Sequence, residues 1–483
     1  MEAVDQKKPH VLFIPYPAQS HIKCMLKLAR LLHHKGLHIT FINTNSNHKR
    51  LVESGGTHWL DDAPGFQFKT VPDGLPSAAD DGIEPTQTSA ELWTYLGINF
   101  CDSFIDLVSR LETPATCIVC DPFITYTNMF HASEMLKIPI ILFWTLAASG
   151  FMGFYQAKVL MERGLLPLKD ESYLTNGYLD MEIDWIPGMR GCRLKDLPEF
   201  ILATKPDDLG LNYILESARA ADKVSHMIIH TFDELEATLM KELKSIFHQI
   251  YTIGPLQLHL NKIKEKETTN MNFNGYSLWK EEPECIQWLQ SKEPNSVVYV
   301  NFGSLAVMSL QELTELGWGL VNSNHYFLWI IRTDLVDVQP AVLPLELEEV
   351  IKGKGFIASW CAQEEVLNHS SVGGFLTHAG WGSVIESLSA GVPMVCWPFS
   401  YDQRVNCRQM CKEWEVGMEI EGKVKRDKVE KLVRELMDGT EYQRTRKKAL
   451  EWKNIADIAT SPNGSSSINI DKLVNEITML SKE

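Results

Sequence analysis

The sequence predicts an α/β fold with two domains, each built around a parallel sheet. Short apolar runs of strand length alternate with longer segments of helical period along most of the 483 residues. This alternation begins at residue 11 and begins again at residue 296, after a polar and charged stretch. We therefore expect an N-terminal domain over residues 1–252, a linker over 253–285, a C-terminal domain over 286–460, and a final helix over 461–483 that packs back on the first domain.

The N-terminal domain opens with a βαβ pattern. Residues 11–14 form a predicted buried strand, and after a loop a helix that starts at His21 carries Ile22 and Met25 at helical spacing. Residues 37–42 form the next predicted strand. A strand, a helix and a second strand in this order indicate a parallel sheet, in which ligands bind beyond the carboxyl ends of the strands. His21 therefore lies where a ligand is expected to bind, and it is a candidate catalytic residue.

Two further strands are predicted to deliver polar side chains to the same edge of the sheet. Residues 116–119 end shortly before Asp121, and residues 138–144 end directly before Thr145. Residues 53–90, which are rich in Gly, Pro, Asp and Ser, predict loops, and the polar residues 261–274 predict a mobile interdomain linker.

The charge of the chain restricts its partners. The 62 acidic side chains outnumber the 46 basic ones, which gives a net charge of −16. Nucleic acid and anionic membranes are bound by clustered Lys and Arg, so neither is an expected partner. A nucleotide ligand stays possible, because a helix N-terminus and a few donors can bind phosphate locally. An acidic surface also favours a soluble monomer.

The ten cysteines are scattered and indicate a reducing compartment. Cys117 and Cys120 have the spacing of a redox or metal motif, but in a strand they face opposite sides and no second pair accompanies them. Neither a signal peptide nor a membrane span fits the sequence, so we expect a cytoplasmic protein with no stable membrane insertion.

Residues 360–403 carry the most informative pattern. Residues 372–376 form a short apolar run, and a turn that contains Gly380 and Gly382 leads into a predicted helix. Glycine lets the backbone approach a ligand, and a helix N-terminus attracts a phosphate, so the pattern fits a diphosphate site beside His378. An ordinary βα unit with glycines in its turn fits the same local pattern.

This 44-residue segment, from Trp360 to Gln403, resembles the signature box of plant UDP-dependent glycosyltransferases over its whole length. The resemblance extends over nearly the entire chain and implies the GT-B fold, in which two facing Rossmann-like domains form an interdomain cleft. It assigns the acceptor to the N-terminal domain and UDP-glucose, a co-substrate, to the C-terminal domain. Residues 171–180, 183–189 and 325–332 resemble the subgroup that contains the steviol 13-hydroxyl glucosyltransferase.

The resemblance also implies which residues hold the donor. Trp360 would stack on uracil, and Glu386 would accept both ribose hydroxyls. The remaining expected contacts with base, ribose, diphosphate and sugar are Cys361, Gln363, Ser304, His378, Trp381, Gly382, Ser383, Asp402, Gln403 and, from the N-terminal domain, Thr145.

The sequence departs from the family pattern at three positions. Gly382 stands where an Asn that helps to hold phosphate is usual, Ala379 stands where Cys is usual, and Ser20 stands where many relatives have Gly. With Gly382, the phosphate contact of the Asn side chain is absent, or a water or a backbone N–H replaces it. Gln403, in place of His, resembles the glucose-preferring members.

For catalysis, the family's base and acidic partner match His21 and Asp121. A histidine at a helix N-terminus stays neutral and can take the proton of an acceptor hydroxyl, and a carboxylate that holds its other nitrogen fixes the tautomer. Direct displacement inverts the anomeric centre. The Asp-x-Asp motif of many metal-dependent glycosyltransferases is absent from the sequence, so no metal or other cofactor is expected.

The acceptor is expected to be a hydrophobic small molecule that donates a hydroxyl or carboxyl group. The sequence of the N-terminal domain near the expected cleft is apolar and aromatic, and Phe123, Phe151 and Phe200 are candidates for the acceptor pocket. The subgroup resemblance favours a steviol-type diterpenoid, with a flavonoid or phenolic as the alternative. A sugar-nucleotide epimerase and a non-catalytic binder of nucleotide sugar or terpenoid are the rival hypotheses, and the presence of both His21 and Asp121 argues against the binder.

Overall fold

The computed structural model describes residues 8–57, 63–73, 90–266, 276–336 and 343–482. Its strands are β1 His10–Ile14, β2 His38–Thr44, β3 Phe66–Val71, β4 Cys117–Cys120, β5 Ile140–Trp144, β6 Glu182–Ile183, β7 Cys192–Arg193, β8 His226–Ile229, β9 Gln249–Thr252, β10 Val297–Asn301, β11 Tyr326–Ile330, β12 Gly355–Ala358, β13 Val372–Thr377, β14 Met394–Cys396 and β15 Gly417–Glu419.

The α-helices are α1 Gln19–His34, α2 Asn45–Glu53, α3 Ala90–Ser109, α4 Met129–Leu136, α5 Ala148–Tyr155, α6 Ala157–Glu162, α7 Leu209–Arg219, α8 Ala237–Ile246, α9 Leu256–Lys266, α10 Glu284–Gln290, α11 Leu310–Ser323, α12 Leu345–Ile351, α13 Gln363–Asn368, α14 Trp381–Ala390, α15 Gln403–Arg408, α16 Arg426–Met437, α17 Tyr442–Ala459 and α18 Ser465–Leu480. Short 3₁₀ turns occupy Pro122–Thr127, Glu171–Leu174, Tyr178–Asp180, Leu194–Asp196, Glu199–Leu202 and Ala220–Lys223, and Gln409–Glu413 is a π-helical turn.

The chain forms two compact units. The first contains Met1–Pro167, Ala203–Leu278 and Ala459–Glu483, and the second contains Leu168–Leu202 and Trp279–Ile458. Residues 168–202, which the sequence analysis assigned to the N-terminal domain, therefore belong to the second unit. Their contacts explain this grouping, since the Glu199 N–H donates to Tyr401 O at 2.9 Å and Arg408 donates to Arg190 O at 2.8 Å.

The first unit is built on a seven-stranded sheet in the order β3-β2-β1-β4-β5-β8-β9, and all its neighbouring strands are parallel. Consecutive strands run outward from β1 through β2 to β3, and the chain then returns to β4 on the other side of β1. The carboxyl ends of β1 and β4 thus meet at the point where the strand order reverses, which is the usual ligand position in such sheets. Ile14 pairs with Cys120 at this point.

Helix α18 completes the first unit from the far end of the sequence. Asn469 Nδ2 donates to Thr252 Oγ1 at 2.8 Å, and the Ser466 hydroxyl donates to Gly254 O at 2.5 Å. Residues from two distant parts of the chain therefore share this unit.

The second unit repeats the pattern with a six-stranded parallel sheet in the order β12-β11-β10-β13-β14-β15. Its strand order reverses between β10 and β13, which places the loops after these two strands together. Its hydrophobic core joins the sheet to α11 and α16 through fully buried side chains such as Val300, Trp329 and Val433. The predicted α/β class with two parallel sheets is confirmed.

Two regions differ from the sequence analysis. Residues 53–90 were predicted to be loops, but residues 66–71 form β3, because Phe66 and Phe68 pack against each other and Phe68 packs against Phe41 of β2. Residues 58–62 and 74–89 lie outside the described residues.

The predicted mobile linker over residues 261–274 is also partly wrong. Residues 261–266 end helix α9, which is anchored by the buried Leu256 and Leu260. Residues 267–275 lie outside the described residues. Leu256, Leu260 and Ile263 recur at helical spacing, and this signal was hidden by the charged residues between and after them.

Candidate active site

His21 and Asp121 form a hydrogen-bonded pair in the first unit. His21 lies in the first turn of α1, directly after β1, and Asp121 follows β4 and caps the 3₁₀ turn after it. The His21 Nδ1 lies 2.7 Å from Asp121 Oδ2, and Asp121 is fully buried whereas His21 is partly exposed. Because a carboxylate only accepts, Nδ1 is the ring nitrogen that donates a proton in this contact.

The second carboxylate oxygen of Asp121 is also occupied. Its Oδ1 accepts the Phe123 N–H at 3.0 Å, which fixes the carboxylate plane. Thr145, which follows the next strand of the sheet, β5, places its Oγ1 2.9 Å from His21 Nδ1. Three neighbouring strands, β1, β4 and β5, thus deliver these three side chains to one point.

Aromatic rings surround the histidine. Phe123 meets the His21 ring edge-on at 5.6 Å between centroids, and Tyr16 meets it at 5.2 Å. Tyr213 stacks on Phe123 at 6.1 Å, and its hydroxyl donates to Phe123 O. Tyr16 and Tyr213 were not singled out in the sequence. Tyr16 was accessible to sequence reasoning because it lies in the loop between β1 and α1, whereas Tyr213 comes from α7 and had no local signal.

The other two predicted acceptor residues are Phe151 and Phe200, which belong to different units. Phe151 is fully buried in the core of the first unit, between Trp144 at 4.6 Å and Phe247 at 5.7 Å. Phe200 is buried in the second unit, in the turn Glu199–Leu202. The structure therefore brings Phe123 to His21 and does not bring Phe151 there, because the ring of Phe151 faces the sheet and its packed helices.

Within the second unit, the residues that are predicted to bind uracil and ribose form one hydrogen-bond network. Gln363 Nε2 donates to Glu386 Oε2 at 2.9 Å and to Ser383 Oγ at 3.1 Å. Its Oε1 accepts from Asn301 Nδ2 at 2.9 Å and from the Tyr299 hydroxyl at 3.1 Å. Glu386 and Ser383 are buried on α14, so the network holds a carboxylate in a fixed orientation.

The Tyr299 hydroxyl also lies 3.2 Å from Cys361 Sγ, which ties the start of the signature box to the same network. Trp360 is half-buried, and its ring stacks on Trp279 at 4.8 Å with an interplanar angle of 26°. Trp279 was not predicted from the sequence. It braces one face of the indole that is expected to stack on uracil.

His378 lies directly after β13, and its ring is enclosed by two glycines. A Cβ at Gly303 would lie 2.5 Å from His378 Nε2, and a Cβ at Gly380 would also collide with the ring. Burial, together with the positive charge of Arg332, lowers the pKa of His378 to about 3, so the ring is neutral at pH 7. Its buried Nδ1 has no hydrogen-bond partner among the described residues. Most buried polar atoms have one, so this atom is a candidate ligand contact.

Helix α14 begins at Trp381 beside this histidine, with Gly380 as its N-cap. The first N–H groups of a helix lack intrahelical acceptors, so Trp381, Gly382 and Ser383 offer donors to an anion. A Cβ at Gly382 would meet no atom within 4 Å, which shows open space at the position where the family resemblance implies an Asn. Ala379 adopts a left-handed φ of +62°, an uncommon conformation for alanine, in the turn that leads to α14.

The sugar-binding candidates lie after β14. Asp402 caps α15 and its Oδ2 accepts from Asn406 Nδ2 at 3.0 Å, and Gln403 Oε1 accepts the Phe399 and Ser400 N–H groups at 2.7 and 3.0 Å. Ser304 is half-buried in the turn after β10. Ser304, His378 and the pair of Asp402 and Gln403 thus follow the carboxyl ends of β10, β13 and β14, which are adjacent in the sheet.

Sequence reasoning missed Arg332. Its guanidinium is buried, donates to Gly303 O and Ala306 O, and pairs with Asp334 at 2.8 Å. Arg332 therefore supports the turn that carries Ser304 and places a positive charge beneath it. The signal in the sequence was weak, because a single arginine after an apolar strand has many possible roles.

No helix among the described residues combines the length and apolar character needed to cross a bilayer.

Comparisons with known proteins agree with this geometry. The family model "UDP-glucoronosyl and UDP-glucosyl transferase" matches residues 234–449. The chain is 69% identical to UDP-glycosyltransferase 85C1 of Stevia rebaudiana over 100% of this chain and 99% of that protein. It is 48% identical to the 7-deoxyloganetin glucosyltransferase of Catharanthus roseus, over 97% of this chain and 96% of that one.

Among solved structures, a UDP-glucose:anthocyanidin 3-O-glucosyltransferase in complex with UDP is similar, with a TM-score of 0.80 and 25% identity. The match covers 98% of this chain and 100% of that one. These similarities confirm the predicted enzyme class and GT-B fold. The chain belongs to the plant UDP-glycosyltransferase family.

Proposed function

We propose that this enzyme transfers glucose from UDP-glucose to a hydroxyl or carboxyl group of a hydrophobic small molecule, with inversion at the anomeric carbon. The observation that carries the mechanism is the His21–Asp121 pair, in which Nδ1 is held at 2.7 Å by a fully buried carboxylate and Nε2 is left as a base. A purely binding protein would gain nothing from this arrangement. General base catalysis by such a histidine contributes about 10²–10⁴-fold to the rate.

In the proposed reaction, His21 Nε2 takes the proton of the acceptor group as its oxygen attacks C1 of glucose. The bond between C1 and the diphosphate oxygen breaks on the opposite face, and UDP leaves with the electron pair. Asp121 stabilises the imidazolium that forms, and the proton later passes to solvent. An α-linked donor thus gives a β-glucoside.

The donor residues of the second unit support the other half of the proposal. The Gln363–Glu386 contact orients a carboxylate for the ribose hydroxyls, and Trp360 offers an indole for uracil. The α14 N-terminus, the neutral His378 and the buried charge of Arg332 provide donors and positive potential for the diphosphate. We propose that these groups stabilise the leaving UDP without a divalent ion.

Two observations support the class of acceptor. The rings of Tyr16, Phe123 and Tyr213 give an apolar, aromatic surrounding for His21, which suits a hydrophobic acceptor. Together with the resemblance to the steviol 13-hydroxyl subgroup, this favours a diterpenoid alcohol or acid. A flavonoid or phenolic is the alternative, because planar rings stack on the same side chains.

The test is UDP release by purified protein with UDP-glucose, EDTA and a panel of hydroxylated diterpenoids, flavonoids and phenols. We expect release that depends on a diterpenoid, a product heavier by one glucosyl group, and β-configuration by nuclear magnetic resonance. His21→Ala should abolish most release while UDP still binds. Loss of release in EDTA that magnesium restores would refute metal independence, and release by His21→Ala at the normal rate would refute the base assignment.

We also propose that the protein acts as a monomer in the cytoplasm. Size-exclusion chromatography with light scattering tests the first point, and imaging of a fluorescent fusion tests the second.

A further inference from the structure

Three cysteines that are separated in the sequence meet in the second unit. Cys396 ends β14, Cys407 lies in α15, and Cys411 lies in the π-helical turn that continues α15. Cys396 Sγ lies 2.7 Å from Cys407 Sγ and 3.8 Å from Cys411 Sγ. The catalytic proposal makes no use of these thiols.

Their surroundings distinguish Cys411 from the other two. Cys396 and Cys407 are buried, whereas Cys411 is partly exposed. Hydrogen bonds from the Cys396 and Cys407 thiols lower the pKa of Cys411 to about 5. By contrast, burial raises the pKa of both Cys117 and Cys192 to about 12. Since the thiolate is the nucleophilic form, Cys411 combines charge with access from solvent.

A metal ion is a less suitable occupant than a covalent bond between the sulfurs. Structural zinc takes four ligands, and thiolates around one zinc lie about 3.8 Å apart. The cluster offers three ligand groups within the described part of the chain, and two of its sulfurs are only 2.7 Å apart. The 2.7 Å separation of Cys396 and Cys407 is too short for two thiolates on one zinc. Cys396 Sγ and Cys411 Sγ, at 3.8 Å, are in van der Waals contact, so one sulfur can reach the other.

We propose that Cys396, Cys407 and Cys411 form an oxidant-sensitive site, at which hydrogen peroxide oxidises Cys411 and a disulfide that includes Cys396 then forms. The Cys411 thiolate attacks one peroxide oxygen, so an S–O bond forms as the O–O bond breaks, and the hydroxide that leaves takes a proton from solvent. The Cys396 thiol attacks the Cys411 sulfur, the S–S bond forms, the S–O bond breaks, and the leaving hydroxide takes the thiol proton. The thiol pair loses two electrons and the peroxide becomes two waters.

Helix α15 connects this site to the sugar-binding candidates. Asn406, the neighbour of Cys407, donates to Ala379 O and to Asp402 Oδ2, both at 3.0 Å. Gln403 is the first residue of the same helix. A disulfide that draws the π-helical turn toward β14 therefore displaces Asp402 and Gln403. This consequence rests on the proposed function, whereas the oxidation itself does not.

The experiment treats the reduced full-length enzyme with hydrogen peroxide and follows its intact mass, its disulfide-linked peptides and its UDP release. We expect the loss of two hydrogen atoms, a linked peptide that contains Cys396, and a roughly tenfold fall in UDP release, since displacements of about 1 Å can cost up to 10²-fold. Dithiothreitol should restore the rate. Cys411→Ser should keep the basal rate and lose peroxide sensitivity, whereas the control Cys192→Ser should stay sensitive.

A Cys396–Cys407 disulfide that forms in Cys411→Ser as fast as the wild type is oxidised, or oxidation confined to other residues, would overturn the proposal. So would a purified protein that retains one equivalent of zinc and resists peroxide. Disulfide formation without a change in UDP release would overturn the link through α15 alone. An enzyme without UDP release before oxidation counts instead against the proposed function, because the peptide map still reports on the thiols.

Discussion

Replacing Asp121 by Asn tests the proposed base most directly, because it removes a charge and keeps the shape. Asp121 Oδ1 accepts the Phe123 N–H and Oδ2 holds His21 Nδ1. If the Asn oxygen keeps the Phe123 N–H, the amide N–H₂ faces His21 and Nδ1 must become an acceptor. The proton then sits on Nε2, and the base is lost. If the Asn amide is flipped, its N–H₂ group faces the Phe123 N–H. This contact between two donors costs about 1–3 kcal/mol.

The size of the effect follows from two terms. At an effective dielectric constant of 20 and a charge separation of about 4 Å, the buried carboxylate stabilises the developing imidazolium by about 4 kcal/mol, or roughly 10³-fold in rate. The wrong tautomer costs up to about 10⁴-fold in serine proteases with a comparable pair. We therefore expect kcat to fall by about 10²–10⁴-fold in Asp121→Asn, with UDP affinity unchanged.

Initial-rate kinetics of UDP release measure kcat, and titration calorimetry with UDP measures donor affinity. Residues that act as one unit are not additive, so the double variant His21→Ala with Asp121→Asn should be no slower than His21→Ala alone. A kcat for Asp121→Asn within about threefold of the wild type would refute the dyad, since it is smaller than any effect of a general base. A fully additive double variant would refute it as well.

Three further predictions concern the donor site and stability. Gly382→Asn should lower the KM for UDP-glucose by about tenfold in initial-rate kinetics, because the open space there admits an amide that donates to phosphate. Gly303→Ala should weaken UDP binding at least about tenfold by calorimetry, because its methyl group collides with the His378 ring. Burial lowers the pKa of both His378 and His259 to about 3 in the folded protein. As the pH falls below 6.5, these two histidines therefore take up protons in the unfolded chain but not in the folded one. The free energy of unfolding should then fall by about 1.4 kcal/mol per pH unit for each histidine, as measured by urea unfolding between pH 7 and 5.

Each of these predictions has a control variant or an outcome that would contradict it. Gly422→Ala meets the same left-handed φ, +67° against +69°, but no neighbouring atom, so it should show the strain of roughly 1–2 kcal/mol and normal UDP affinity. An unchanged KM in Gly382→Asn would indicate that water or a backbone N–H already satisfies the phosphate. His378→Gln should lower the slope of the free energy of unfolding against pH by the contribution of one histidine, about 1.4 kcal/mol per pH unit. A slope equal to that of the wild type would contradict the buried neutral ring.

The sequence alone was sufficient for the class of fold and for the local placement of His21, Asp121 and Thr145. Each follows an apolar strand, and the carboxyl ends of parallel strands share one edge, so local periodicity already brought the three to one side. The same holds for the signature box, where the strand, the glycine turn and the helix start are contiguous. Asp402 and Gln403 follow the next strand for the same reason.

Strand order and long-range packing decided the rest. β1 lies beside β4 because the chain reverses direction across the sheet there, and only this adjacency sets the 2.7 Å contact between His21 and Asp121. Phe123 and Phe151 both lie in apolar segments that follow strands of the same sheet, yet one ring faces His21 and the other fills the core. Tyr213 and Arg332 reach their partners from distant segments, and the three cysteines meet only because α15 and the π-helical turn pack against β14. No local sequence pattern predicts these side-chain contacts, because they depend on how helices and loops pack on the apolar faces of the folded sheets.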